Sequence, residues 1–459
     1  MLFPSLVGHA AELYRIIWKS PQPADAIASE FFRSHKYIGS KERKFISESV
    51  FATLRIHSIA QLVATSYSSE YRKESIPLAH EIKIILAACL FGERVGAYSP
   101  LQLLNRSFVT TDETFSIEQL CKGTLVARLE YTEEETQEWI NASEEAFRKV
   151  ALEDSYTYWC LPEWIAESWH HRDVKPIALS LLKSAPVCLR VNTRAISRER
   201  VLEELAKLSI AAKPSTLSPD GIVLDGRDQL SQVELFKSGA IEVQDIGSQI
   251  IGYALAPEED WLVLDACAGA GGKSLHIAAM QNDSGTVIST DIEFKRLREL
   301  DFRAKRAGFR SISTMILSPK NDKTLEKFIG RCDAVLVDAP CSGMGTARRM
   351  PMVKWRLTAS LVAKLARKQC EILLEKSRFV RPDGVLVYAT CSMMPQENED
   401  VVNRFLMEND DFVLEPLDTA LSQFGIKIQG MNKDAGMMTL LPNIHGTDGF
   451  FIARMRRIG

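Results

Sequence analysis

The sequence lacks any C-x-x-C pair, although nine cysteines are scattered through its 459 residues. An odd count spread over a long chain argues against a disulfide framework and against a thiolate zinc site, and points to a reducing compartment. No apolar run reaches the roughly 18 residues that a bilayer demands. The opening stretch MLFPSLVGHAAELYRIIWKS has no basic start followed by an apolar segment and a small-residue cleavage site, so the chain reads as cytoplasmic and free of membrane. Charge of one sign is also lacking: 56 Lys and Arg face 59 Asp and Glu, for a formal net charge of -3. Global charge therefore announces no nucleic-acid partner, and cations for phosphate would have to be gathered on one face. Internal repeats and low-complexity segments are missing, which sets aside solenoid and tail-like architectures. What is there, 46% apolar and 25% charged residues, is ordinary globular composition with ample core material. At about 100–200 residues per domain, the length suggests roughly two to four domains.

Strand signals are scarce over residues 1–145. AELYRIIW, DAIASEFF, KERKFISESVFATLR and HEIKIILAACLF all space apolar residues three and four apart, so this region reads as a bundle of amphipathic helices. Residues 146–184, with the aromatic run SYTYWCLPEWIAESWHHR and Pro162, read as a linker packed against its neighbours. Residues 185–238 suggest a small α+β module. Cys188 to Val191 and GIVLDG supply strands, and SRERVLEELAKLSI supplies a helix capped by Ser197. From 239 to 459 the strands WLVLDA, TVISTDI, AVLVDAP and GVLVYAT alternate with KSLHIAAM, FKRLRELDFRAKRAG and ASLVAKLARKQCEILLEKSRFV. That alternation predicts an α/β fold, a doubly wound Rossmann-like core whose ligands bind at the carboxyl ends of its strands.

The glycine turn VLDACAGAGGKS follows the first core strand. A phosphate-binding P-loop needs glycine where Cys267 stands, and the dinucleotide fingerprint needs a glycine where Ser274 stands. What remains is Asp265-x-x-x-Gly269-x-Gly271, which resembles the first motif of S-adenosylmethionine-binding methyltransferases. Asp291, ending the next strand, is placed to hold a ribose diol; read alone it would serve equally well as a helix cap.

Cysteines are mostly buried small hydrophobes, and Cys89, Cys160, Cys332 and Cys370 fit that description. Cys341 and Cys391 differ. Each follows the carboxyl end of a core strand, in Asp338-Ala339-Pro340-Cys341-Ser342 and Thr390-Cys391-Ser392, flanked by Ser, Pro or Gly. Both therefore stand at the edge that carries the glycine turn.

Taken together, DACAGAGGKS, DAPCSGMGTARRMP, VKWRL, YATCSMMPQENE and HGTDGFF resemble the Sun (Fmu) family of RNA (cytosine-5)-methyltransferases, over about residues 185–459. The resemblance implies transfer of a methyl group from S-adenosyl-L-methionine to C5 of a cytosine in RNA. It implies Cys391 as the nucleophile and Cys341 as an aid to product release. It also implies cofactor contacts at Cys267, Ala268, Gly269, Ala270, Gly271, Gly272, Lys273, Asp291 and Asp338. The chemistry asks for a thiolate that adds to C6, an acid near N3 and a base near C5. Cys341 and Cys391 supply two thiols and Asp338 the nearest acid, and the residues alone do not choose between the thiols. Two departures from the family stand out. Leu317-Ser318 occupies the place where an acidic residue usually contacts the adenine side, with Asp322 further on; and Ala270 replaces a common proline.

KERKFISESVFATLR gives residues 1–145 a resemblance to the RNA-binding fold of the antitermination factor NusB. That fold ahead of a Sun core is the arrangement of the bacterial 16S ribosomal RNA methyltransferase B type, which implies ribosomal RNA as partner; a monomer without metal is expected. A reactive cytosine has to leave its stack, so a loop or an opened helix is the expected substrate. Arg348, Arg349, Lys354 and Arg356 cluster after Cys341 around Trp355, and are expected to contact phosphates. Arg190 and Asn192 in LRVN resemble a family motif near the site and join that RNA-binding set. His445 reads as structural, and Trp261 as core. Two rival readings are a nucleotide-dependent oxidoreductase or NTPase built on the glycine turn, and a non-catalytic RNA-binding or assembly protein that keeps the fold. The failed spacings and the paired strand-end cysteines weigh against the first, and the presence of both thiols with Asp338 against the second.

Overall fold

The structure is a computed structural model that describes residues 2–67, 75–96, 116–226, 230–317 and 324–459. Ser318 and Asp322, the positions at issue for an acidic contact to the adenine side, lie outside the described residues. The chain divides into two compact units, Met1–Ser184 with Ala347–Arg356, and Ala185–Thr346 with Leu357–Gly459. Among the described residues no helix is long and apolar enough to cross a membrane.

The first unit is helical. Its main described helices are Phe3–Lys19, Ala24–Ser34, Ser40–Arg55, His57–Ala64, Ala79–Phe91, Ile117–Leu129 and Glu133–Glu153. Ser116 and Thr132 start the last two with reciprocal caps. Each hydroxyl accepts from the backbone N–H three residues on, and Gln119 or Glu135 returns a bond to the cap's own N–H. Leu6, Leu13, Ile17, Phe45 and Trp139 fill one continuous core. Residues 146–184, expected as a linker, are largely helical. After Glu153 come Ser155–Tyr158, Glu163–Ser168 and Val174–Ser180. Asp154 caps the first by accepting from Thr157 N–H, and Pro162 sits just before the second, where its missing N–H costs nothing.

The second unit carries two sheets. Its strands are β1 (Val187–Val191), β2 (Ala212–Pro214), β3 (Gly221–Leu224), β4 (Ile241–Val243), β5 (Leu262–Asp265), β6 (Thr286–Asp291), β7 (Ile312–Ile316), β8 (Cys332–Asp338), β9 (Val380–Thr390), β10 (Phe412–Leu414), β11 (Met437–Leu440) and β12 (Phe450–Arg457). β1 to β4 form a small antiparallel sheet in the order β2-β3-β1-β4. The helix Arg198–Lys207, capped by the Ser197 hydroxyl, packs Val201 and Leu205 onto it.

The large sheet runs β10-β12-β9-β8-β5-β6-β7, with β11 beside β12. β7, β6, β5, β8 and β9 are mutually parallel, and β12 joins β9 antiparallel. Side chains alternate between two buried faces: Val263, Val287, Leu336 and Val387 on one, Leu264, Ile288, Val337 and Leu386 on the other. The chain winds β5 to β6 to β7 in one direction and then places β8 on the other side of β5. That reversal opens a crevice at the carboxyl ends of β5 and β8.

Gly345 lies where the chain beyond β8 passes close to Gly449 of HGTDGFF. Its N–H donates to Cys391 O, and its own carbonyl accepts from Gly449 N–H. A Cβ on Gly345 would stand 1.9 Å from Gly449 O, backbone that cannot swing aside. Gly345→Ala is expected to destabilise the second unit by about 1–3 kcal/mol through overpacking, read as a lower thermal midpoint against wild type.

Candidate active site

The glycine turn begins where β5 delivers Asp265 into the crevice and ends at the helix Gly272–Met280. Gly269 and Gly271 have φ of +54° and +84°, a region that side chains rarely enter. At Gly271 the need is also steric, since a Cβ would fall 2.3 Å from Leu300 Cγ; at Gly269 a Cβ would meet nothing within 4 Å, so that part of the turn opens outward. Gly269 N–H donates to Asp291 Oδ2 at 2.9 Å, while Asp291 Oδ1 accepts from Glu293 N–H at 2.8 Å. One carboxylate thus orders both the turn and the start of the following segment, although the helix Phe294–Arg306 that follows has Glu293 at its cap position.

Asp265 is buried. Its Oδ2 accepts from Ser274 Oγ at 2.6 Å and its Oδ1 has no hydrogen-bond partner. Burial pushes its carboxyl up to about 6. Lys273, also buried, bonds Asp338 Oδ2 through Nζ at 2.6 Å. Burial opposes the charge on Lys273, but Asp338, Asp265 and the charge of Cys391 outweigh it and raise its pKa. A turn that is open at Gly269, with an unpartnered carboxylate oxygen beneath it, fits a cofactor that carries an ammonium and a ribose.

The cysteines meet because β8 and β9 are adjacent and end together. Asp338 pairs with Ala389, and Ala339 N–H donates to Ala389 O. The loops that follow bring Cys341 Sγ to 3.3 Å from Cys391 Sγ. The bond to Cys391 and burial hold the Cys341 thiol well above its ordinary pKa, and Glu397 adds to the effect. Burial likewise pushes Cys267 up. A proton shared by two sulfurs at contact, beside a cation, is an arrangement suited to a thiolate nucleophile.

Sequence reasoning passed over Glu397, Ser342, Ser392 and Gln369. Ser342 N–H and Oγ, Ser392 Oγ and Gln369 Nε2 all donate to the buried Glu397 carboxylate, at 2.7, 2.5, 2.5 and 3.0 Å. The available signal was the acidic run QENED, three residues beyond T-C-S, which reads as solvated charge unless its burial is known.

The basic residues expected to face RNA have other partners. Lys354 is 1% exposed and donates to Arg55 O and Cys160 O, and burial lowers its pKa to about 8. Arg356 donates to the carbonyls of Ile17, Ser20, Pro21 and Gln22. Arg348 is buried and donates to Ser184 O, and Arg349 is half-buried. Trp355 Nε1 donates to Leu54 O. This segment is thus fastened to helical backbone, and donors spent on carbonyls are not offered to phosphates. Arg190 and Asn192, expected near RNA, also bond within the protein. Arg190, which burial lowers to about 10, donates to Gln244 Oε1 and Gly272 O, and Asn192 to Gly239 O and Ala307 O. They join the small module to the core. His445 accepts from Leu441 N–H and its other ring nitrogen meets Gln429 O; Trp261 lies half-buried against the core.

The family model for the 16S rRNA methyltransferase RsmB/F matches residues 252–456, and the RsmF/B-like ferredoxin-like domain matches residues 160–230. The probable ribosomal RNA small subunit methyltransferase B of Bacillus subtilis (strain 168) is 34% identical over 320 residues, covering 70% of this chain and 70% of that protein. Among solved structures, PH0851 aligns with a TM-score of 0.72 at 21% identity, over 99% of each chain. NSun6 from Pyrococcus horikoshii, solved with SFG, aligns with a TM-score of 0.55 at 22% identity, over 65% of this chain and 98% of that one. At these identities the two structures attest the fold alone, the first over nearly the whole chain and the second over about two thirds of it.

Asp265 makes stability depend on pH. Its folded pKa of about 6 lies above its ordinary value of 3.8, so the folded state binds the proton more tightly. Its stabilising contribution is therefore complete below about pH 4 and is lost as pH rises through about 6. Asp265→Asn removes that loss. The melting temperature of the variant relative to wild type should rise between pH 4 and pH 7, in thermal unfolding without added ligand.

Proposed function

We propose, from the premise that this chain belongs to the RsmB/F family of 16S rRNA methyltransferases, that it transfers a methyl group from S-adenosylmethionine to C5 of a cytosine in small-subunit ribosomal RNA. The observation that carries the reading is the 3.3 Å approach of Cys341 Sγ and Cys391 Sγ beside the Lys273–Asp338 pair.

Residues Cys267 to Lys273, with Asp291 and Asp338, would hold the cofactor, and the unpartnered Asp265 oxygen would receive its ammonium. Bound there, S-adenosylmethionine supplies an electrophilic methyl group on a sulfonium. Cytosine C5 is too weak a nucleophile to take it unaided. The Cys391 thiolate adds to C6 and leaves C5 enamine-like, able to attack the methyl carbon. Asp338 is the acidic group that would pass a proton to N3 as the thiolate adds, drawn from the Lys273 ammonium bonded to it, and return it when the C6–S bond breaks. A base then takes the C5 proton, the C6–S bond breaks, and its electron pair returns to Cys391 as thiolate. Cys341, in contact with that sulfur, assists the release.

Cys341 is the less suited of the two thiols to act as nucleophile, since the bond to Cys391 and burial hold it well above its ordinary pKa. The target base has to be swung out of its stack to reach the sulfur.

Cys391→Ala should lower methyl transfer by several orders of magnitude while S-adenosylhomocysteine still binds in isothermal titration; normal methylation of RNA by this variant, read by bisulfite sequencing, rules out Cys391 as the nucleophile. Cys341→Ala should accumulate a protein–RNA adduct that survives a denaturing gel, and full turnover with no adduct removes the release role.

A further inference from the structure

Glu397 is fully buried, yet among the described residues its bonded partners include no cation. Its carboxylate is satisfied by four neutral donors from Ser342, Ser392 and Gln369. A carboxylate buried without a counter-cation is a costly choice for a core, and an apolar side chain of similar volume would serve stability as well. Its placement suggests why the cost is borne. Ser342 directly follows Cys341, and Ser392 directly follows Cys391. One carboxylate therefore grips the residue next to each sulfur, and the two hydroxyls lie 3.1 Å apart. Gln369 reaches the same carboxylate from the helix Ala359–Ser377 and also donates to Pro340 O, on the other side of Cys341. Glu397 is itself fixed: Tyr388 Oη donates to its carbonyl at 2.6 Å, and the adjacent Asn398 is bonded to Thr390 and to Ser392 O.

We propose that Glu397 is a positioning residue that clasps the loops after β8 and β9 through Ser342 and Ser392, so that the sulfurs of Cys341 and Cys391 are held at contact. The proposal rests on the reading of Cys391 as the nucleophile. Two loops that merely follow neighbouring strands are brought to within several ångströms of each other; the 3.3 Å approach of their sulfurs needs a further constraint, and the shared carboxylate supplies it. In Glu397→Gln one acceptor oxygen becomes an N–H donor that faces donors, so the clasp opens while side-chain volume is kept. Ser342→Ala with Ser392→Ala opens it from the other side and leaves the carboxylate bonded to Gln369 and the Ser342 N–H.

The test is steady-state methylation of small-subunit ribosomal RNA by the full chain, alongside titration with S-adenosylhomocysteine and mass-spectrometric timing of iodoacetamide labelling at each cysteine. Misplacing a reacting group by about an ångström costs on the order of 100-fold in rate. Both variants should lose about that much in kcat, with KM for S-adenosylmethionine and affinity for S-adenosylhomocysteine unchanged. Labelling of Cys341 should also begin at lower pH than in wild type, because its bond to Cys391 is lengthened. A kcat within about threefold of wild type, or a loss matched by equally weakened S-adenosylhomocysteine binding, overturns the proposal. If Glu397→Gln does not fold, the double serine variant decides by the same criteria. Cys391→Ala is assayed in parallel. If it methylates, the nucleophile assignment falls and the clasp with it. If it is inactive while the clasp variants run at wild-type speed, the positioning role alone falls.

Discussion

The parallel pairing of β8 with β9 is the constraint from which the site follows. Asp338 stands beside Ala389 in that ladder, so both strands surrender their chains at the same height and on the same edge of the sheet. Each loop then carries its cysteine only a few residues further. A slip of one residue in that register would turn the buried alternation of Val335, Val337, Leu386 and Tyr388 to the wrong face. The convergence of the two loops is thus enforced by an apolar core of far greater energetic weight than any bond at the site itself. β5 completes the arrangement. Paired with β8 on its other side, it sends Asp265 and the glycine turn to the same rim.

Charge inside that rim is balanced locally. Asp265, Asp338, Glu397 and the thiol pair put several acidic groups behind one buried cation, Lys273. Its bond to Asp338 and its proximity to the other two charges overcome the burial that would otherwise neutralise it. Asp265 is left without enough compensation and holds its proton to about pH 6. A carboxylate in that condition becomes more comfortable when a cation arrives. In the proposed reading, that cation would be the ammonium of the cofactor. Cys341 belongs to the same balance. The bond to Cys391 and burial hold its thiol well above its ordinary pKa, so two chemically identical groups stand in different surroundings.

Much of this could be read from the chain because the signals are local. Four core strands stood out as Val-, Ile- and Leu-rich runs, and the turn at Gly269 and Gly271 stood out by spacing. β12 was less visible: FFIARMRR alternates an apolar series with arginines, and Arg454 is buried, its guanidinium taking Glu415, Ala254 O and Leu255 O. Nothing in the residue order reports such partners, since they lie some 40 and 200 positions away. Glu397 escaped for the same reason. A glutamate in an acidic run is by default solvated, and only the convergence of two loops reveals it as buried. The glycine turn was thus legible from one segment, whereas the bonds around Glu397 draw on three.

The basic segment shows how far proximity in sequence can mislead. Arg348, Lys354, Trp355 and Arg356 follow Cys341 closely and have the composition of a phosphate-binding loop. Yet residues 347–356 group with the helical unit, where Met352 enters the core and Trp355 packs edge-on against His57 at 5.3 Å. The carbonyls they meet lie at helix ends and turns: Ile17 and Ser20 close Phe3–Lys19, and Leu54 and Arg55 close Ser40–Arg55. Helix C-termini leave carbonyls unpaired and carry partial negative charge, so they attract cations as phosphates do, and more persistently because they are covalently present. A run of arginine and lysine beside an aromatic therefore specifies a partner rich in acceptor oxygens, and does not by itself say whether that partner is a nucleic acid or the end of the chain's own helix.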